Sequence, residues 1–180
     1  MRTEIWQGDR VSLRALETED WELFYAWSQD MELMRHVDSV QFPPSKAGAK
    51  KWVEEEVEKS GKNDKFTWII ESEAGDAVGM ITTFNLNARH GSFFHALSIG
   101  REHRRQGYAA AALRLVLRFY FEELRYQKCT AIVYDFNEAS QKLHESVGFK
   151  LEGRLRRMGH ADGRYFDHLM YGILAEEFSG

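Results

Sequence analysis

A chain of 180 residues has the length of one compact domain, and its apolar fraction of 43% is ordinary for a globular protein, so we expect residues 1–180 to form a single domain. A formal net charge of −4 without a dense basic patch argues against nucleic-acid binding, and the apolar runs are too short to span a membrane. A polar N-terminal segment and a single cysteine, Cys129, predict a cytoplasmic protein.

The apolar residues recur with the two periods of regular secondary structure. Recurrence at every second position indicates half-buried strands, and recurrence at every third or fourth position indicates amphipathic helices. In chain order, these patterns predict a strand at 10–16, helices at 19–29, 31–37 and 46–59, strands at 66–71, 77–86 and 93–99, a helix after Gly107, a strand at 128–134, a helix at 139–146, and strands at 149–158 and 165–174. This order indicates a mixed sheet with helices packed on it, an α/β layered domain.

Capping and turn residues set several boundaries of these elements. Thr18 and Ser45 are placed to accept hydrogen bonds from the first turns of the helices that follow them. Gly148 follows a predicted helix and can adopt the left-handed conformation that ends helices. Asp162-Gly163 predicts a tight hairpin turn between the last two strands. The long helix carries an apolar stripe formed by Leu113, Val116, Leu117, Tyr120 and Leu124.

The segment before the long helix has the composition of an anion-binding loop. It reads Arg104-Arg105-Gln106-Gly107-Tyr108-Ala109 and follows a predicted strand. The start of a helix presents unpaired backbone N–H groups and a partial positive charge, which attract phosphate. Gly107 permits a tight turn and the close approach of a ligand. The segment is neither a Walker loop nor a Gly-x-Gly-x-x-Gly fingerprint, and by itself it is equally consistent with an ordinary basic loop.

This loop resembles the pyrophosphate motif of the GNAT N-acetyltransferases, Arg/Gln-x-x-Gly-x-Gly/Ala after a strand. Residues 137–149 resemble the second signature of that family, in which an Asn begins a helix and Gly-Phe ends it. The segments similar to the RimJ/RimL branch of the family are 10–16, 18–20, 152–156, 162–167 and 171–174. The resemblance covers nearly the whole chain in the family's order, and on it the chain is identified as a member of the RimJ/RimL-like branch.

The resemblance implies a particular fold and cosubstrate. The fold is a mixed, mostly antiparallel seven-stranded sheet flanked by about four helices, with strands four and five splayed apart into a cleft. The cosubstrate is acetyl-CoA, whose pantetheine arm adds to the exposed edge of strand four like another strand. The residues that the resemblance assigns to acetyl-CoA are Leu97, Ser98, Ile99, Arg104, Arg105, Gln106, Gly107, Tyr108, Ala109, Ala110, Asn137 and Ser140. Asn137 is also a candidate helix cap.

Two candidate catalytic residues stand where this sequence departs from the family's pattern. His144 occupies the position at which many members carry a Tyr that protonates the departing CoA thiolate, and a histidine can carry that proton. Phe94-His95-Ala96-Leu97 replaces a Glu-Ile-Gly-Tyr-like start of strand four, so His95 is a substitute for the base that some relatives place there. Packing roles without chemistry are the alternative for both histidines.

The family places the acceptor between the first helices and the last hairpin. The candidate lining residues there are His36, Asp38, Asn85 and Asp135. The acceptor expected is a primary amine, with protein N-termini, polyamines and other small amines all open. Direct attack in a ternary complex is expected, because Cys129 lies in a predicted buried strand and is a poor covalent carrier.

Several alternatives remain at this point. A longer acyl group or an alcohol acceptor is consistent with the same motifs, as is a fold that binds acyl-CoA only as a sensor or interaction module. The spacing of the seven histidines fits no metal motif, so no metal is expected. The oligomeric state expected is a monomer or a homodimer.

Overall fold

The computed structural model describes residues 4–37, 43–62 and 64–179. In chain order its elements are β1 (Val11–Ala15), α1 (Trp21–Ser28), α2 (Met31–His36), α3 (Lys46–Lys59), β2 (Phe66–Ser72), β3 (Ala77–Asn87), β4 (Ser92–Ile99), α4 (Tyr108–Arg118), β5 (Lys128–Tyr134), α5 (Glu138–Val147), β6 (Lys150–Ala161) and β7 (Arg164–Leu174). The predicted α/β fold is confirmed, with five α-helices in the described ranges where about four were expected. No helix of these ranges is long and apolar enough to cross a membrane.

One seven-stranded sheet organises the chain, in the order β1-β2-β3-β4-β5-β7-β6. Neighbouring strands are antiparallel except for β4 and β5, which are parallel. The parallel pairing covers only Ser92–Phe94 against Lys128–Thr130. Beyond it, β4 stays paired with β3 as far as Ile99, and β5 stays paired with β7 as far as Tyr134. The two strands therefore diverge, and the splay predicted between strands four and five is confirmed.

Both faces of the sheet are covered by helices. Adjacent residues of a strand point to opposite faces, so Ile69 packs with Val53 of α3 and Leu16, whereas Ile70 belongs to the larger core cluster with Leu113 of α4. The first face carries α1 and α3, and the second carries α4 together with α5. The cleft between β4 and β5 is consequently bounded by different helices above and below the sheet.

Several local expectations are confirmed. The Ser45 hydroxyl accepts a hydrogen bond from the Gly48 N–H at 3.0 Å and caps α3. Gly148 follows α5 with a φ of 108°. Asp162 and Gly163 have φ values of 52° and 74°, the pair of positive values typical of a tight two-residue hairpin turn. Each of these features depends on residues close together in the chain, which is why the sequence predicted it correctly.

The predicted cap at Thr18 is wrong. A 3₁₀ turn occupies Thr18–Asp20, and α1 begins only at Trp21. Asp20 fixes this corner, because its carboxylate accepts two hydrogen bonds of 2.7 Å from Arg14 and one of 2.9 Å from the Glu17 N–H. Arg14 lies on β1, so a contact with the sheet decides where the helix begins.

The predicted apolar stripe of α4 also ends earlier than expected. The regular helix stops at Arg118, and a turn of π-helix covers Phe119–Glu123. The wider turn rotates Leu124 out of the core, and this residue is 47% exposed. Tyr120 stays buried, and its hydroxyl lies 2.8 Å from the Thr83 hydroxyl of β3. This hydrogen bond joins the end of the helix to the centre of the sheet.

Gly79→Ala should destabilise the sheet beside the cleft. A Cβ at this position would lie 2.2 Å from the Ser98 carbonyl oxygen and 3.1 Å from the Ile99 Cα, so β3 and β4 would have to separate. We expect the free energy of unfolding to fall by about 1–3 kcal/mol, measured by urea unfolding. Gly153→Ala is the matched control, since a Cβ there meets nothing within 4 Å. Equal stability of the two variants would contradict the prediction.

Candidate active site

The cleft opens where the pairing of β4 and β5 ends. Phe94 and Thr130 form the last paired position, and from Ala96 to Ile99 the β4 edge that faces β5 is not paired with it. Backbone N–H and C=O groups on such an edge need partners, and an extended chain rich in amides can supply them. The predicted cofactor residues Leu97, Ser98 and Ile99 all lie on this edge.

The loop that follows β4 leads directly into the start of α4. Arg105 and Gly107 have φ values of 60° and 85°, and Gly107 is the residue immediately before the helix. The first backbone hydrogen bond of α4 joins the Gly107 carbonyl to the Ala111 N–H at 3.1 Å. The N–H groups of the preceding turn, residues 108–110, have no carbonyl four residues back to bind within the helix. They form a site suited to an anion at the mouth of the cleft.

Arg104 is engaged differently from the sequence-based expectation. Its guanidinium lies 2.6 Å from an Asp30 carboxylate oxygen and 3.0 Å from a Glu32 carboxylate oxygen, and its Nε donates to the Ile99 carbonyl at 3.3 Å. Burial alone would raise the pKa of Asp30, but backbone hydrogen bonds and the neighbouring arginines Arg104 and Arg101 hold it below its usual value. Arg104 therefore ties the loop to α2, and its charge is already neutralised.

Arg10 brings a guanidinium to the loop that the sequence did not indicate. A Cβ built on Gly107 would lie only 2.9 Å from the Arg10 Nη1 atom. Arg10 immediately precedes β1 and is exposed. Only the fold places it beside Gly107, because the two residues lie far apart in the sequence. With the exposed Arg105, it keeps the loop cationic although Arg104 is paired with carboxylates.

His95 and His144 meet at the closed end of the cleft. His95 is the residue after the last β4–β5 pair, and its Nε2 atom lies 3.2 Å from the Nε2 atom of His144 on α5. The side chains are almost fully buried, with exposures of 3% and 4%. Phe149 packs edge-on against both rings. The structure therefore brings together the two histidines that the sequence singled out independently.

The hydrogen bonds of the pair define its tautomers. The Nδ1 atom of His144 lies 2.7 Å from the Ser140 carbonyl oxygen, which can only accept, so Nδ1 carries the proton. In a neutral ring, the Nε2 atom of His144 is then an acceptor, and the Nε2–H of His95 donates to it. The Nδ1 lone pair of His95 remains, buried and without a hydrogen-bond partner among the described residues. The Nδ1 atom of His95 is therefore a proton acceptor that no described residue uses.

Burial keeps both rings neutral. It lowers the pKa of His95 well below the ordinary value, and the neighbouring His144 lowers it further. Burial also lowers the pKa of His144, although donation to the Ser140 carbonyl opposes this. A neutral His144 with its proton on Nδ1 has no proton to give through Nε2. The arrangement favours a proton acceptor over the stored acid expected at His144.

The start of α5 lies close to this pair. The Asn137 side-chain oxygen accepts the Ser140 N–H at 3.0 Å, so Asn137 caps the helix as the sequence suggested. Ser140 in turn supplies the carbonyl that orients His144. The two residues predicted to contact the cofactor therefore also position the buried ring.

The structure describes three of the four predicted acceptor residues. His36 stacks on Phe136 with ring centroids 5.8 Å apart, and Asp135 is paired with Arg154 at 3.0 Å. Asn85 lies near the end of β3, where β3 pairs with the start of β4. At this end of β4 the strand is also paired with β5, so the cleft is closed there. Asp38 lies outside the described residues.

A large cavity lies on the opposite face of β4 from the histidines. Its volume is about 650 Å³, and it is lined by residues of α1, α2, α3, β3 and β4 and by Val37, Pro43 and Pro44. Ala96, Leu97 and Ser98 form its end at the cleft. The cavity wall is mostly apolar, so no pattern of polar residues in the sequence marks it.

Comparisons with known proteins agree with this architecture. The sequence profile of the acetyltransferase (GNAT) domain matches residues 10–150. An uncharacterized N-acetyltransferase, YokL, from the SPbeta prophage of Bacillus subtilis (strain 168), is 39% identical over 178 residues, which are 99% of this chain and 97% of that protein. The chain belongs to the GNAT acetyltransferase family. It is therefore an acetyltransferase, with the fold predicted for that family.

Relatives of known structure share the fold of this acetyltransferase. Spermidine N-acetyltransferase of Vibrio cholerae in complex with CoA and spermine superposes with a TM-score of 0.82 at 23% identity, over 94% of this chain and 98% of that one. A probable acetyltransferase of known structure gives a TM-score of 0.84 at 22% identity, over 95% of this chain and 96% of that one. At these identities the similarity establishes the fold alone.

The histidine pair predicts that acid destabilises the acetyltransferase. The folded state keeps both rings neutral, whereas an unfolded chain protonates each one below about pH 6.5. The free energy of unfolding should therefore fall once the pH drops below about 6.5, and it should keep falling toward the lowered pKa values of the folded rings, by up to about 1.4 kcal/mol per pH unit for each histidine. The other rings packed on His144 are Phe149 and Tyr171, and burial raises the pKa of Tyr171, so neither titrates in this range.

Urea unfolding across this range measures the slope of stability against pH. His144→Gln is the comparison, because it removes one titrating ring and keeps an amide that can hydrogen-bond. A shallower slope is expected for the variant. The same slope in both proteins would show that the pair is not the source of the acid sensitivity.

Proposed function

We propose that this RimJ/RimL-like protein is a cytoplasmic, single-domain N-acetyltransferase that moves the acetyl group of acetyl-CoA to a primary amine in a ternary complex. The observation that carries the proposal is the position of the cleft. The free edge of β4 is followed by the loop that begins α4, and the buried histidine pair lies at the other end of that edge. An extended thioester with a pyrophosphate at one end matches this layout.

The cosubstrate would lie along the free edge of β4, from the loop before α4 to the two histidines. Its pyrophosphate binds the N–H groups of Tyr108, Ala109 and Ala110, with Gln106 and Gly107 shaping the loop. Arg10 and Arg105 supply the positive charge, because Arg104 is held by Asp30 and Glu32. The pantetheine amides pair with the edge at Leu97–Ile99, and Asn137 and Ser140 border the arm from α5. The solved relative with CoA and spermine supports both a CoA cosubstrate and an amine acceptor.

Direct transfer is the chemistry that this site favours. The amine nitrogen attacks the thioester carbon, the C–S bond breaks, and the proton lost by the amine passes to the CoA thiolate. A backbone N–H of the β4 edge polarises the carbonyl in the transition state. Cys129 is fully buried, and burial raises the pKa of its thiol well above the usual value, so it does not serve as an acyl carrier.

The amine must lose its proton before it can attack. For an alkylamine with a pKa near 10.4, neutralisation at pH 7 costs about 4.6 kcal/mol. That first proton leaves to solvent as the amine binds. The nitrogen loses a second proton after it attacks, and the free Nδ1 lone pair of His95, whose ring His144 orients through the Nε2–Nε2 contact, can accept it transiently. We assign the pair to relaying this second proton to the CoA thiolate as the C–S bond breaks.

The cofactor loop gives the first test of this function. Acetyl-CoA at about 100 times its Kd should stabilise the fold by about 2.7 kcal/mol. Gly107→Ala should weaken binding by tenfold or more, because Gly107 has a φ of 85° and the new Cβ would meet Arg10. Gly163→Ala is a matched control, with a similar φ of 74° but open space around it. Thermal unfolding with and without acetyl-CoA measures both effects, and no shift in the unmodified protein would refute the cosubstrate.

His144 gives the second test. If the pair moves the proton, His144→Ala should lower kcat by about 10²-fold or more and change KM for acetyl-CoA little. His144→Tyr should restore part of the rate, since a phenol can also relay a proton. Steady-state thiol release with the best amine acceptor measures both. A kcat within about twofold of the unmodified protein for His144→Ala would end the catalytic assignment, and thiol release with no amine tested would favour an acyl-CoA sensor.

A further inference from the structure

The side chains that line the cavity beside β4 are suited to binding an apolar ligand. Its aromatic and thioether lining side chains are Phe24, Trp27, Trp52, Met31, Met34 and Met80. A volume of about 650 Å³ lies within the range of small-molecule sites. It ends at Ala96–Ser98, the edge along which the thioester would lie, so a molecule in the cavity is in line to meet the acetyl group.

No charged side chain lines this cavity among the described residues. Its polar lining consists of Ser28, Gln29, Thr82 and Ser98, all of them neutral. The described lining can therefore orient an uncharged amine by hydrogen bonds, and these residues supply no carboxylate to a second ammonium group.

Asp30 and Glu32, the two acids at the start of α2, are already paired with arginines. Asp30 lies 2.6 Å from Arg104 and 4.0 Å from Arg101, and Glu32 lies 3.0 Å and 3.7 Å from the same two guanidinium groups. Asp30 also accepts the N–H groups at the start of α2. These carboxylates hold the cofactor loop, and a polycation would have to break that contact to reach them.

We infer that the cavity receives the apolar body of a primary monoamine, an alkyl chain or an aromatic ring, and disfavours polyamines. This inference rests on the proposed function and names the acceptor class for it. Each methylene that enters the cavity raises affinity about fourfold, whereas a second, unpaired ammonium is costly to bury. The acceptor would thus differ from that of the Vibrio cholerae enzyme whose fold it shares.

A matched pair of amines tests the acceptor class. Hexylamine and 1,6-diaminohexane have the same carbon chain and differ only by the second amine. With acetyl-CoA, we expect kcat/KM for hexylamine to exceed that for the diamine by about tenfold or more, and to rise about fourfold per methylene from propylamine to hexylamine. 2-Phenylethylamine should also be used well, and spermidine poorly. Equal or better use of the diamine or of spermidine would overturn the inference.

A charge placed in the cavity provides the structural control. Met31 lines the cavity at the first position of α2 and is 47% exposed, so Met31→Glu adds a carboxylate where a helix start tolerates one. This variant should reduce the preference for hexylamine over the diamine by about tenfold. Ala74→Glu adds the same charge in the exposed β2–β3 turn and should leave the preference unchanged. An unchanged preference in Met31→Glu would place the acceptor elsewhere.

Binding separates a failure of this inference from a failure of the proposed function. The shift in thermal stability caused by acetyl-CoA tests the function alone. Trp27 and Trp52 lie in the cavity wall, so their fluorescence in the CoA complex should change on titration with hexylamine. If CoA binds but hexylamine leaves the fluorescence and the stability unchanged, the acceptor class is wrong and the acetyl-CoA assignment stands. If CoA does not bind, the proposed function itself fails.

Discussion

The short parallel pairing between β4 and β5 is the constraint on which the rest of the site depends. Pairing stops at Phe94 and Thr130, while each strand keeps its antiparallel neighbour to its end. A sheet that paired fully here would satisfy the β4 edge and close the cleft. Because it does not, backbone groups of β4 face a gap that opens toward the loop before α4. The anion site, the histidine pair and the apolar cavity are all arranged around that edge.

Arg104 connects the two sides of this cleft. It belongs to the cofactor loop, yet its partners Asp30 and Glu32 lie at the start of α2, which borders the cavity. Asp30 is only 12% exposed at its side chain, so its contact with Arg104 is better shielded from solvent than an ordinary surface ion pair. The loop before α4 and the start of α2 are thereby held in one arrangement, and the same ion pairs neutralise Asp30 and Glu32.

The buried histidine pair carries a cost in stability. Two neutral imidazoles in the core can satisfy each other only in part, and one lone pair, on His95 Nδ1, is left over. A structural role alone would be met better by apolar side chains of the same volume, because an unsatisfied buried acceptor destabilises the fold. Its position at the last β4–β5 pair gives that acceptor a place beside the reacting atoms of the proposed transfer.

The sequence by itself determined the features that depend on near neighbours in the chain. Alternating and helical periods predicted the elements, and Ser45 and Gly148 marked helix ends, since each of these ends depends on hydrogen bonds within a few residues. The tertiary structure decided the rest. Arg104 meets Asp30 across 74 residues of chain, and His95 meets His144 across 49. Backbone propensities carry no information about such distant partners, so only the packing of helices on the splayed sheet could decide which side chains share the cleft.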